Sequence, residues 1–307
     1  MNGVRKSPQC SVVIPTYNRV ELLRHTLESL TKQRLPVESF EVLVVDDGSS
    51  DTTADMVDTY RQRLDLRYFF QPDQGWRSAA ARNVGIAQAE AEIIVFIDSG
   101  VLAHSGCLEA HLASHRAEAG PVAVVGYLYG LNIDNEDAEQ IIAVVDVNDP
   151  DGTIARMQSQ GIHLDVREEY YEKYTENIAD LPAPWFIFWT ANVSVRTDQI
   201  RAVGAFDETF DRWGGEDIDL AYRLHRDGAK FVVNRQASSI HFPHHKNFAD
   251  NLRDAETNYL HIVEKYDTPI IRLLLEPHDV DPFNINDIIR ERNLPTCADY
   301  LATLTQP

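Results

Sequence analysis

Five acidic positions hold most of the chemistry this chain can offer. Asp46 and Asp47 close the apolar run in "FEVLVVDD", Asp98 closes "EIIVFID", and Glu216 and Asp217 follow two glycines in "RWGGEDIDL". A carboxylate at the end of an apolar run can hold a metal ion, accept a strong hydrogen bond or take up a proton. Gly214 and Gly215 let a backbone come close to a ligand, and the acids after them begin a helical pattern, where acids also commonly complement the helix dipole. Arg19, Arg77 and Arg82 lie near these acids in sequence and suit phosphate oxygens; Arg82 would serve equally as a structural partner for a strand-end acid. Three histidines, His241, His244 and His245, crowd "SIHFPHHKN", which reads as a solvated turn or as a set of nitrogen donors.

The elements that must position these groups follow a regular rhythm over the first 126 residues. "CSVVIP" is a buried-strand pattern, and "VELLRHTLESL" has Leu23, Leu27 and Leu30 at helical spacing. "FEVLVVD" is a second strand, after which Asp51 can cap a helix in "DTTADMVDTYRQR". "LRYFFQ" and "EIIVFID" are further strands, separated by a small-residue helix in "SAAARNVGIAQA"; the helix "SGCLEAHLASHRAEAG" and the strand "VAVVG" follow. The alternation predicts an α/β fold, a mostly parallel sheet with helices on both faces. Ligands of such sheets bind at the carboxyl ends of the strands, where Asp46, Asp47 and Asp98 stand.

Residues 130–185 break the rhythm with an acidic stretch, an "NDPDG" turn and the aromatic run "REEYYEKYTEN", and they read as a variable insertion. Its aromatics and their neighbours, Tyr170, Tyr171, Tyr174, Trp185 and Trp189, are either stacking surfaces or core. "GGEDIDLAYRLHRDGA" is a helix with Gly228 at its C-terminal cap. The expected division is one catalytic-type domain over 1–245 and a helical C-terminal extension over 246–307.

The net charge of −20, from 48 acids and 28 bases, opposes nucleic-acid and anionic-membrane partners. No apolar stretch approaches the roughly 20 residues of a membrane span, and "MNGVRKSPQC" lacks the apolar core of a secretory signal. Cys10, Cys107 and Cys297 form neither a disulfide framework nor a zinc pattern, so a cytoplasmic setting is expected. P-loop and G-x-G-x-x-G phosphate cradles are absent.

Four motifs in order, "SVVIPTYNR", "VLVVDDGSSD", "ARNVGIAQAEAEIIVFID" and "WGGEDIDLAYRL", resemble those of GT-A fold glycosyltransferases, especially the inverting family two. The later motifs are similar to polypeptide N-acetylgalactosaminyltransferases and β-1,4-galactosyltransferases, and the match spans about residues 10–245. The resemblance implies nucleotide and donor contacts from Pro15, Thr16, Tyr17, Arg19, Arg82, Ser99, Trp213, Gly214 and Gly215. It also implies a uracil-binding carboxylate, Asp47 in preference to Asp46. Asp98 matches the first acid of a D-x-D signature, but Gly100 stands where the second would coordinate metal. The polypeptide-transferring relatives use D-x-H with a distant histidine, which implies Asp98 and His241, less strongly His244 and remotely His104, around Mn²⁺ or Mg²⁺. In the inverting relatives the second acid of the E-D pair is the general base, hence Asp217, with Glu216 binding sugar hydroxyls and the helix N-terminus keeping Asp217 ionised.

The expected activity is inverting transfer from a nucleotide sugar, with UDP the preferred nucleotide, to a soluble or lipid-linked acceptor. Two other classes are weighed against it. A binding protein that kept the fold but lost turnover would account for Gly100, though not for the intact E-D pair. A nucleotidyltransferase would carry a basic glycine-rich loop after the first strand, and "PTYNRVELL" is not one.

Overall fold

The computed structural model describes residues 7–132, 135–175, 178–244, 247–277 and 279–304. Its first half follows the expected alternation: β1 (Cys10–Thr16), α1 (Val20–Leu30), β2 (Phe40–Asp46), α2 (Thr53–Asp58), β3 (Leu66–Phe70), α3 (Ser78–Gln88) and β4 (Ile93–Ile97). A three-residue β5 (Val101–Ala103), α4 (Cys107–Ala117) and β6 (Val122–Tyr129) come next. Helices α5 (Ala138–Val144), α6 (Pro150–Gln160) and α7 (Glu168–Tyr174) occupy the insertion. Then follow β7 (Asn192–Arg196), α8 (Thr197–Ala202), α9 (Glu216–Arg226) and β8 (Lys230–His241). The chain ends in α10 (Phe248–Tyr266), α11 (Pro269–Arg272), α12 (Ile285–Glu291) and α13 (Cys297–Leu304).

One eight-stranded sheet runs in the order β3-β2-β1-β4-β7-β6-β8-β5. The pairs β1–β2, β1–β4, β2–β3 and β6–β8 are parallel, while β4–β7, β6–β7 and β5–β8 are antiparallel. Successive residues of a strand face opposite sides of the sheet. Val13, Leu43, Ile94 and Phe96 therefore meet α3 and α9 on one side. Val12, Ile14, Val42, Val44, Val95 and Ile97 meet α1, α2 and α4 on the other. Burial on both faces is why these strands read as unbroken apolar runs. The small-residue helix α3 packs closest: a Cβ at Gly85 would lie 2.4 Å from Val13.

The sequence reading differs from the structure in three places. Helix α2 is shorter than its pattern, and Asp51 lies two residues ahead of its first helical residue, accepting from Thr53 N–H at 3.0 Å and from Val20 N–H of α1 at 3.2 Å. The helix expected from Ser105 begins at Cys107, and the short strand β5 that precedes it was not expected. β8 was not anticipated; its register against β6 jumps between Gly126 and Tyr127, opposite the polar "RQA" that interrupts its apolar pattern. In and beside the insertion, Tyr170, Tyr171 and Trp185 are core residues. Tyr174 packs against that core, half-buried, and Trp189 is also half-buried. No helix among the described residues is long and apolar enough to cross a membrane.

Candidate functional site

Parallel pairing brings the ends of β1, β2 and β4 together, and with them the first group of expected residues. Thr16 O accepts from Asp47 N–H at 2.9 Å, and Pro15 O accepts from the Ser99 hydroxyl at 2.9 Å. Asp46 is a structural staple: its carboxylate accepts from Gly48 and Ser49 N–H (3.1 and 2.7 Å) and from the Tyr68 hydroxyl (2.7 Å). Asp47 instead reaches across to the loop before α3. It accepts from Arg77 N–H at 3.0 Å and from the Gln71 amide at 2.5 Å, and it pairs with the Arg77 guanidinium at 3.4 Å. Tyr17 is exposed and donates to Asp73 at 2.9 Å, which ties the β1 loop to that same segment. Thr16 is buried, and its hydroxyl has no hydrogen-bond partner among the described residues.

A second group forms around one buried arginine. Arg82 on α3 donates to Asp98 at the end of β4 and to Glu216 at the start of α9, each at 3.1 Å. The Ser78 hydroxyl adds a second contact to the same Glu216 oxygen at 3.2 Å, and the guanidinium lies 5.5 Å from the Phe206 ring centre. Burial alone would lower the Arg82 pKa, but the charges of Asp98 and Glu216 outweigh it and the net shift is upward. One oxygen of Glu216, Oε2, is buried without a hydrogen-bond partner among the described residues. Arg19 is half-buried, and burial lowers its pKa against the opposing charge of Asp98.

Asp217 stands beside Glu216 in the first turn of α9 and is partly exposed. Burial in the surrounding protein and the charge of Glu216 push its pKa up to about 7, from an ordinary 3.8. Arg82 and the N–H groups of Ile218 and Thr190 work in the opposite direction. The expected effect of the helix N-terminus is therefore present but outweighed, and the carboxyl is poised near neutrality rather than held firmly ionised.

The D-x-G segment is a tight turn. Val101 N–H bonds Asp98 O at 3.0 Å, Gly100 N–H bonds the Thr26 hydroxyl at 2.9 Å, and Gly100 has φ of +101°. Glycine suits that backbone, and a Cβ there would face the Leu22 side chain at 3.5 Å. Pairing of β5 with β8 sets His241 opposite Val101, and Phe242 N–H bonds Gly100 O at 2.9 Å, so His241 comes beside the turn that follows Asp98. The His244 ring lies 5.3 Å from that of His241, while His245 falls outside the described residues. His104 belongs elsewhere: its Nδ1 accepts from Gly106 N–H at 3.0 Å, and Nε2 lies 3.6 Å from Asp151 on α6.

Among the described residues no three His, Cys, Asp or Glu side chains form a metal cluster. Asp98 and His241 offer one carboxylate and one imidazole, a donor set that suits an ion completed by a ligand's own diphosphate oxygens. Trp213 is exposed at the rim. Ser78, Thr190 and Asn258 of α10, which donates to the backbone of the Trp213 loop, were missed by sequence reasoning. Only Ser78 gave a signal, as the first residue of the small-residue helix.

A family model described as glycosyl transferase family 2 matches residues 11–168, more than half of the chain. This chain belongs to that family. A second model, described as the N-terminal domain of galactosyltransferase, matches residues 154–246 of this family 2 chain. Validoxylamine A glucosyltransferase of Streptomyces hygroscopicus subsp. jinggangensis (strain 5008) is 39% identical over 259 residues, covering 84% of the chain and 61% of the relative. Chondroitin synthase of Pasteurella multocida (strain Pm70) is 32% identical over 241 residues, covering 75% of the chain and 24% of the relative. The chain thus spans under two thirds of the length of these curated relatives. Two solved structures share the GT-A fold. Staphylococcus aureus TarS 1–349 in complex with UDP-GlcNAc has a TM-score of 0.58 at 20% identity, covering 83% of this chain and 66% of that one. The mannosyltransferase PcManGT from Pyrobaculum calidifontis, in complex with GDP-Man and Mn²⁺, has a TM-score of 0.60 at 19% identity, covering 97% and 75%.

Proposed function

We propose that this chain transfers a sugar from a UDP-linked donor to an acceptor hydroxyl with inversion at the anomeric carbon, using Asp217 as general base. The carrying observation is the bridge through Arg82, which joins the strand-end acid Asp98 to the acid pair Glu216–Asp217 across two contacts of 3.1 Å. The nucleotide end and the proton-accepting end of the cleft are thereby held in one frame.

In this reading the ends of β1 and β2 take the nucleoside, with Thr16 and Tyr17 against it and Asp47 toward the uracil imide. The Asp47 carboxylate is already engaged by Gln71 and Arg77, so the same contacts that hold the loop also aim the acceptor oxygen. Arg19 and Arg82 place positive charge where the departing diphosphate gains negative charge. Asp98 and His241 would hold Mn²⁺ or Mg²⁺, which when bound supplies Lewis-acid charge at the diphosphate oxygens. The acceptor oxygen attacks the anomeric carbon from the face opposite the diphosphate, and its proton passes to Asp217. The bond from that carbon to the diphosphate oxygen breaks, and the electron pair leaves with UDP. A base poised near pH 7 suits this task, and general-base action is typically worth about 10²–10⁴-fold. Glu216, fixed by Arg82 and Ser78, keeps one oxygen for a substrate hydroxyl.

Calorimetric titration with UDP, in Mn²⁺ and then in excess chelator, tests the donor half of the proposal. Binding that requires Mn²⁺ and is lost in His241→Ala is the expected result. Chelator-insensitive binding would assign the diphosphate to the arginines alone, and absence of binding under both conditions would contradict a UDP-linked donor.

A further inference from the structure

Helix α10 lies beyond both stretches matched by the family models, the later of which ends at residue 246. It nevertheless forms the floor of the loop that carries the acid pair. Gly214 and Gly215 have φ of +85° and +92°. A Cβ at Gly214 would lie 3.4 Å from the Ala255 Cβ, and one at Gly215 would lie 3.1 Å from the Asn258 Cβ and 3.5 Å from Ile262. The missing side chains therefore make room for α10.

Two consecutive glycines leave a loop with no side chains of its own to fix it, so its conformation depends on where its backbone groups are held. Asn258 supplies that hold. Its buried side-chain amide donates toward the carbonyls of Arg212 and Trp213, each at 3.3 Å, and of Gly214 at 2.5 Å. Glu216 and Asp217 follow immediately. Tyr259, the next residue of α10, is within electrostatic reach of both acids, whose charges add to the upward shift of its hydroxyl caused first by burial. The other end of α10 is anchored separately: Lys265 bridges Asp207 and Asp219 at 2.7 Å each, and the Tyr266 hydroxyl donates to Asp219 at 2.6 Å.

We propose that Asn258 is a positioning residue for the Glu216–Asp217 pair, acting through the backbone of residues 212–214. The proposal rests on the transferase reading and extends the site into a helix that the family models leave out. A displacement of about 1 Å at a reacting group can cost roughly 10²-fold in rate, so loss of this restraint should lower turnover without weakening nucleotide binding at the far end of the cleft.

The test compares Asn258→Ala with Lys265→Met, which loosens the same helix at its remote anchor. UDP release from UDP-glucose and UDP-GlcNAc is measured per UDP-binding site, with UDP affinity, melting temperature and amide hydrogen exchange over residues 212–217. The expected result for Asn258→Ala is unchanged UDP affinity, a fall in turnover of about 10–100-fold and faster exchange across the loop. Lys265→Met should melt lower yet keep turnover and loop protection. Asn258→Ser, which keeps one donor, replaces the alanine variant if that fails to fold and should be intermediate. Asn258→Ala with undiminished turnover and unchanged loop exchange would overturn the proposal. A wild-type chain that binds UDP but releases none from either sugar nucleotide counts against the transferase reading, and loop exchange then decides the restraint by itself.

Discussion

At the scale of single residues, Asp217 links pH, stability and activity. Its folded pKa of about 7 lies above the ordinary 3.8, so between those values the folded chain holds a proton that the unfolded chain releases. Stability from this group is therefore full below about pH 4 and falls as pH rises through 7. Asp217→Asn removes the loss, and its melting temperature should exceed that of wild type at pH 8 while the difference closes near pH 4; scanning calorimetry at both pH values checks this. Gly100 gives a second prediction. A side chain there would meet a left-handed backbone and face Leu22, not Asp98. Gly100→Asp should cost about 1–3 kcal/mol in urea unfolding and leave the Mn²⁺ dependence of UDP binding no tighter. The charged members of this group were legible from type and position, since acids at the carboxyl ends of parallel strands and an arginine near the start of a connecting helix come to the same edge of the sheet. Thr190 and Asn258 were not, because neither their type nor their spacing marks a residue that acts through space.

At the scale of elements, the first four strands were readable because burial on both faces imposes unbroken apolar runs. β5 is only three residues long, and the pattern of β8 is interrupted at its register shift, so neither leaves a periodic trace. The same region carries a buried ion pair that positions the segment leading to Thr190. Arg167 and Asp165 are both fully buried and paired at 2.6 Å; Arg167 also donates to Ile187 O at 3.1 Å and Gly126 O at 3.2 Å, and its guanidinium lies 5.3 Å from the Trp189 ring centre. Removing one partner leaves the other charge uncompensated in the core. Arg167→Ala is expected to destabilise by about 3–5 kcal/mol in denaturant unfolding, more than an exposed pair such as Arg61–Asp58, whose loss should cost under about 1 kcal/mol.

At the scale of the whole molecule, one sheet and the helices on its two faces bring residues from positions 15 to 258 together at one edge of the sheet. The mixed strand directions were not expected in detail; they arise because the chain returns antiparallel through β7 and closes β5 against β8. That return sets His241 beside the Asp98 turn, while α9 brings Glu216 to Arg82. With a net charge of −20, a bound diphosphate would need local neutralisation, by a metal ion or by arginines such as Arg19 and Arg82. In the proposed reaction a sugar leaves UDP for the acceptor and Asp217 takes the proton. The most direct measurement is UDP release from a panel of UDP-sugars across pH 5–9, for wild type and Asp217→Asn, with UDP affinity measured alongside. Release is expected to rise with pH to a plateau above about 7 in wild type and to be nearly abolished in Asp217→Asn, with UDP bound equally by both. Equal release by the two proteins, or a wild-type rate that does not fall toward acid pH, would contradict it.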